Sequence, residues 1–270
     1  MFGLTFLRAT SQTTTHRKPT FRIGAGGVAG YVAGGFDSAN VSGIDKITFS
    51  SDSKSTLAAT LTSARYYVAG FANSGVAGYV AGGFSTAVQS NIDKITFPAD
   101  TKSTLAATLT TARRSGAGFA NSGTAGYHAG GSDGANVSGI DKITFSSDSK
   151  STLSATLTSA RFGPTGFANS GTAGYVAGGY STSYQSNIDK ITFPADTKST
   201  LAATLTMAVL YGAGFANSGT AGYNAGGTGS ASDSSGIDKF AFPGDTKTTL
   251  AATLTSARFN MAGFADSGTL

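Results

Sequence analysis

Apolar and polar positions along the chain follow a short motif that recurs at a fixed distance. GYVAGG stands at 30–35, 78–83 and 174–179, GYHAGG at 126–131 and GYNAGG at 222–227, so the spacing is 48 residues throughout. The copy Gly78–Ala125 serves as a template. It holds four strand-like runs, at Gly78–Gly82, Ile92–Phe97, Thr104–Thr110 and Ala117–Asn121. In IDKITF, Ile95 and Phe97 point to one face and Ile92 and Thr96 to the other, so both faces carry apolar cover. In LAATL, Leu105 and Leu109 share a face. Between the runs lie PAD (Pro98–Asp100) and NSG (Asn121–Gly123), residues that turns prefer.

Four short strands in a repeat of this length predict a β-propeller blade. Five copies predict a five-bladed ring over residues 28–270, with repeats at 30–77, 78–125, 126–173, 174–221 and 222–270. The glycine- and alanine-rich runs suit strands crowded around the axis, where backbones approach closely. The run MAGFADSG (261–268) is a fifth copy of GAGFANSG with no partner after it, while Tyr31 lies in a run with no good copy before it. The expectation is that the C-terminal strand pairs with the Tyr31 strand and closes the ring, removing the sheet edges. Closure by Ile23–Gly27 is the weaker alternative.

Composition narrows the chemistry. There is no Cys, no Trp and no Glu, so a disulfide framework and a thiolate metal site are excluded. Of the net charge of +5, residues 1–27 carry four units, on Arg8, Arg17, Lys18 and Arg22. The repeat body is nearly neutral and lacks the clustered Lys/Arg of a nucleic-acid stripe. Residues 1–27 are therefore expected to form an arm that docks on another protein, with Phe2, Phe6, Arg8, Arg17 and Lys18 as its contact residues. The segment MFGLTFLRATSQTTTHRKPT has too short an apolar run for a secretory signal, and no stretch reaches the ~20 apolar residues of a membrane span.

The five copies also show where the chain varies. NSGTAG and the PADTKST or SSDSKST turn change little. The loops after the double glycine (FDSANVSG, FSTAVQSN, SDGANVSG, YSTSYQSN, TGSASDSSG) and the junctions between repeats (RYYVAG, RRSGAG, RFGPTG, VLYGAG, RFNMAG) change freely. In an up-and-down meander both variable sets fall on one face. Loops on a rigid scaffold are where binding residues concentrate, and aromatic and arginine side chains dominate interface hot spots. The expected binding face comprises Tyr66, Tyr67, Arg113, Arg114, Phe162, Tyr180, Tyr184, Leu210, Tyr211, Phe259 and Met261.

The invariant Asp45, Asp93, Asp141, Asp189 and Asp238, and the recurring Arg65, Arg113, Arg161 and Arg258, read as interblade contacts. A five-fold ring of Asp around a cation is the less favoured reading. His128 is the only histidine of the repeats and reads as a packing or pore residue on a near-axis strand. A nucleophilic triad through His128, or paired-Asp hydrolysis, stays open without a motif behind it. No catalytic residue, metal or cofactor is expected.

The repeat resembles kelch repeats on YVAGG (Tyr79–Gly83), IDKITF (Ile92–Phe97) and TLTTAR (Thr108–Arg113), with the kelch Trp absent. More closely, YxxGG…IDKI.F…DT…AR…G resembles repeats in structural proteins of tailed phages, notably phages of cyanobacteria. That resemblance implies a non-enzymatic virion component of a tail fibre, tail tip or baseplate. It would be docked to other virion proteins by residues 1–27 and would bind a host-surface glycan or a neighbouring virion protein through the variable face. A capsid-decorating protein, a cellular lectin-like or scaffold propeller and a propeller hydrolase or lyase are the alternatives.

Overall fold

The structure, a computed structural model, describes residues 29–263. It is an all-β propeller of five blades. The first blade contributes β1 (Ala29–Ala33), a two-residue hairpin β2 (Phe36–Asp37) and β3 (Ala39–Asn40), β4 (Ile44–Thr48) and β5 (Ser53–Thr56). The second holds β6 (Ala69–Asn73), β7 (Ala77–Ala81), β8 (Ile92–Thr96) and β9 (Thr101–Thr104). The third holds β10 (Ala117–Asn121), β11 (Ala125–Ala129), β12 (Ile140–Thr144) and β13 (Ser149–Thr152). The fourth holds β14 (Thr165–Asn169), β15 (Ala173–Ala177), β16 (Ile188–Thr192) and β17 (Thr197–Thr200). The fifth holds β18 (Ala213–Asn217), β19 (Ala221–Ala225), β20 (Ile237–Ala241) and β21 (Thr246–Thr249). The last four are antiparallel meanders in chain order, and the first shows β1, β4 and β5. Among the described residues no helix is long and apolar enough to cross a membrane.

One strand differs from the sequence reading. The outer strand is TKST (Thr101–Thr104 in the second blade), which the sequence reading gave to a turn. The apolar run after Thr104 is a connection instead. Its NH groups follow the flank of its own blade, Leu105 to Ile92 O and Leu109 to Ser90 O, both at or near 2.9 Å. The reason is position. An outer strand is a solvent edge, and its Lys and Thr side chains are what a managed edge carries. Leu109 turns inward and is buried.

Glycine sets the spacing between blades. A Cβ on Gly118 would overlap the Gly70 carbonyl, one on Gly166 the Gly118 carbonyl and one on Gly214 the Gly166 carbonyl. The innermost strands thus touch backbone to backbone around the axis. Gly126 on β11 leaves room for the Phe71 ring of the preceding blade in the same way. The seams are then filled by stacked rings, such as Tyr79 on Phe145 (5.1 Å between centroids), Tyr127 on Phe193 (5.1 Å) and Tyr175 on Phe242 (5.3 Å).

In the second to fourth blades the IDK tripeptide ties the blade to both neighbours, because successive side chains point to opposite faces. Asp93 faces back, accepting from Thr62 N (2.9 Å), Thr62 Oγ1 (2.6 Å) and Arg65 Nη2 (3.0 Å) of the preceding junction. Lys94 faces forward, to Asp148 of the next blade at 2.6 Å, and Tyr79 donates to the same carboxylate at 2.9 Å. The expected Asp–Arg contact is therefore present, as Arg65–Asp93, Arg113–Asp141 and Arg161–Asp189. These aspartates work singly in successive seams, and among the described residues no cluster of His, Cys, Asp or Glu is placed to hold a metal ion.

Gly263, the last described residue, sits against the Gly214 carbonyl as Gly214 sits against Gly166, so the fifth inner run starts in register. The closing strand expected at 261–268, the alternative at Ile23–Gly27, and the arm with Phe2, Phe6, Arg8, Arg17 and Lys18 lie wholly or mostly outside the described residues.

Candidate binding face

The junctions and the loops after the double glycine do share one face, and they are joined there. Four of the five junctions form a bridge to the loop of the blade they enter: Tyr66 with Phe84, Arg114 with Ser132, Phe162 with Tyr180 and Leu210 with Thr228. Phe84, Ser132, Tyr180 and Thr228 bridge back across their own loops. This small ladder fixes the variable side chains to the blade framework.

Nearer the axis the junctions bond to one another. Tyr67 O accepts from Ser115 N (2.9 Å), Ser115 O from Gly163 N (2.8 Å), Gly163 O from Tyr211 N (2.8 Å) and Tyr211 O from Asn260 N (3.0 Å). All five residues have left-handed backbone, with φ of 56°, 55°, 67°, 59° and 56° in that order. Glycine, serine and asparagine adopt it at modest cost. A bulky residue with positive φ is an outlier, and such strain gathers at functional sites. Two of the five positions nonetheless hold tyrosine.

Those tyrosines meet. The Tyr67 and Tyr211 rings stack at 5.5 Å with 4° between their planes. The Tyr211 hydroxyl lies 3.3 Å from Ser115 Oγ, and burial raises its pKa. Gly163 supplies the space, since a Cβ there would come within 3.0 Å of the Tyr211 ring. Arg114 lies over Tyr67 and Phe84, with its guanidinium carbon 5.9 Å and 5.0 Å from their centroids. A cavity of about 360 Å³ opens here, lined by Tyr66, Tyr67, Arg114, Phe162 and Tyr211 with Ser132, Gly134 and Asn136. The aromatic surface runs on through Phe162–Tyr180 (5.6 Å) and Tyr180–Tyr184 (5.2 Å), and through Tyr66 to Phe36 (5.5 Å).

Seven of the eleven residues expected on this face thus form one continuous surface. Arg113 does not join it. It is 2% exposed and points into the seam, to Asp141 at 2.9 Å and to His128. Leu210 is also buried, and its side chain packs by Gly163. Met261 packs over Gly226, and Phe259 is 43% exposed but lies outside the cavity. Sequence reasoning missed Phe84, Phe36, Ser132 and Asn136. Phe36, Phe84 and Tyr180 open their loops at the same repeat position, and that recurrence was the available signal.

His128 is fully buried rather than facing a wet channel. Its Nδ1 accepts from Arg113 Nε at 3.1 Å, and a Cβ on Gly116 would overlap its ring. Burial, reinforced by the Arg113 charge, pushes its pKa down to about 3. It is a neutral seam residue, held between Arg113 and the Gly116 backbone.

No protein-family model and no curated protein matches the chain. Among solved structures it is similar to YjhT, with a TM-score of 0.69 at 12% identity over 89% of this chain and 87% of that one. At that identity the likeness speaks for the propeller fold alone.

Proposed function

We propose that the chain is a non-enzymatic binding propeller whose variable face takes a saccharide into the Tyr67–Tyr211 cavity. The observation that supports this most is the stacked tyrosine pair held in left-handed backbone. A scaffold that only needed stability would put glycine or asparagine at those positions, as it does at Gly163 and Asn260. Flat aromatic faces pack against the apolar face of a sugar ring. The Asn136 amide oxygen and the Ser132 hydroxyl hydrogen lie beside them, while Asn136 Nδ2 is held by the Tyr180 and Ser181 carbonyls and Gly134 N by Ser132 Oγ. Arg114 makes no ion pair among the described residues, which leaves its N–H groups for a carboxylate or sulfate on the sugar.

The resemblance of the repeats to virion proteins of tailed phages suggests the setting: a tail fibre, tail tip or baseplate component on the particle surface, attached to other virion proteins through residues 1–27 and reading a host-surface glycan. Glycan-array binding by the wild type and by Tyr67→Ala, Tyr211→Ala and Arg114→Ala tests the face. Loss of a saturable signal by variants that still unfold in one cooperative transition, even where the lost ring stack lowers its midpoint, is the expected result. Equal binding by all four proteins rejects the face, and no glycan binding by the wild type rejects the ligand class.

A further inference from the structure

In three seams the junction arginine fills the same slot. Arg65 Nη2 donates to Val80 O (3.2 Å) and Asp93 (3.0 Å), Arg113 Nη2 to His128 O (3.2 Å) and Asp141 (2.9 Å), and Arg161 Nη2 to Val176 O (3.1 Å) and Asp189 (3.0 Å). The same aspartates also hold a lysine, Lys102, Lys150 and Lys198, so each carries two cations. In the seam between the fourth and fifth blades Val209 stands at the arginine position. Asp238 keeps Lys247 (3.1 Å) and the hydroxyls of Thr206 and Thr249, but among the described residues no arginine reaches it. A cavity of about 190 Å³ remains, lined by Val209, Met207, Thr206, Asn224, Asp238 and Thr249 among others.

The acceptors of the slot are still there. Asp238 is 6% exposed and Asn224 3% exposed, and Asn224 Oδ1 is buried without a hydrogen-bond partner. Asn224 is the register equivalent of His128, whose Nδ1 accepts a hydrogen bond from Arg113 Nε. Its amide oxygen, its main-chain carbonyl and Asp238 thus reproduce the acceptor set that surrounds Arg113. A buried acceptor left unsatisfied is costly, and a fitted donor recovers that cost.

We propose that this slot binds an alkylguanidinium group supplied from outside the chain, its head on Asp238 and Asn224 and its stem along Met207 and Val209. Planar, forked donors suit this acceptor set where a point-charge ammonium does not. Thr206 and Thr249 are exposed at the rim, so the slot opens to solvent. It shares no lining residue with the aromatic cavity, and the two sites fail independently.

Calorimetric titration with agmatine and with the peptide acetyl-Gly-Arg-Gly-amide, against butylammonium and butylurea, tests it. Agmatine is expected to bind saturably and both controls to fail. Peptide binding besides agmatine assigns the slot to an arginine of a partner chain, and agmatine binding alone assigns it to a free small molecule. Val209→Arg should fold, melt higher and bind neither. Asp238→Asn should weaken binding roughly tenfold or more, as truncating one partner of a buried charge pair does. No saturable binding of either guanidine, equal binding of butylammonium, or binding that survives Val209→Arg overturns the proposal.

Discussion

Arg113 and Arg114 are neighbours in the chain and belong to different parts of the molecule. Arg113 is sealed in a seam against Asp141 and His128, while Arg114 lies across the rings of the open face. The division holds around the propeller. Seam positions repeat from blade to blade, because each blade must fit the next through the same contact. Face positions differ from blade to blade, and strain is tolerated among them: Tyr67 and Tyr211 keep positive φ where Gly163 would be relaxed. Seams are selected for fit, and the face carries groups whose cost the fold absorbs elsewhere.

The seam side of this comparison breaks most sharply at Asp189. Asp189→Ala leaves the Arg161 guanidinium buried with the Val176 carbonyl as its remaining acceptor. Removing one partner of such a pair costs about 3–5 kcal/mol. Arg161→Val, which copies the natural Val209 seam, should cost less, since Asp189 keeps Thr158, Thr200 and Lys198. Urea denaturation of both variants measures the order. A costlier Arg161→Val would mean that the arginine stem, rather than the ion pair, holds the seam.

Much of this seam logic was legible in the sequence, because a fixed period repeats every contact. IDK, NSG and the double glycine recur, and each recurrence marks a packing or bonding role. The outer strand was not legible. Thr101–Thr104 has no apolar alternation, and a solvent edge needs none, whereas the LAATL run beside it looks like a strand and serves as a connection. Asp100, Asp148, Asp196 and Asp245 read as turn residues, yet each also holds the tyrosine and lysine of the preceding blade. On the candidate face, sequence variation located the right loops but not which side of each junction is buried. Arg113 and Leu210 were misplaced for that reason, and the pairing of Tyr66 with Phe84 exists only once the blades are assembled.

A proton separates seam from face more gently. His128 titrates near its usual value of about 6.5 in the unfolded chain and is held down to about 3 in the folded protein. Below pH 6.5 the unfolded state takes up a proton that the folded state refuses, so stability falls with falling pH from about 6.5 to about 3. At pH 5 this loss is about 2 kcal/mol relative to neutral pH. His128→Val copies Val80 and Val176 and should flatten this stretch of the stability–pH curve. The aspartate pairs work in a lower window: with pKa values depressed in the fold, their stabilisation is complete above the ordinary carboxylate value and is lost below it, as pH falls towards the depressed value. Parallel curves for wild type and variant between pH 6.5 and 4 would show that His128 is open to solvent.

The smallest effect is a difference between two variants at one position and bears on the face alone. Tyr211→Gly replaces a bulky side chain at φ 59° by the residue found at Gly163. Strain at a sparsely populated backbone angle costs of order 1–3 kcal/mol. Against that relief stand the loss of the stack on Tyr67 and of the edge contact with Phe162. Each such ring pair contributes about 0.5–1.5 kcal/mol beyond its buried area. The buried area of the ring is lost as well, so the melting temperature should fall, by less than strain-free loss of the ring would lower it, while saccharide binding disappears. Tyr211→Ala keeps the strain, loses the stack and should melt lower than Tyr211→Gly. If the glycine variant is instead the less stable of the two, the left-handed ring is not strained at this position, and the tyrosines are there to seal the axis rather than to meet a ligand.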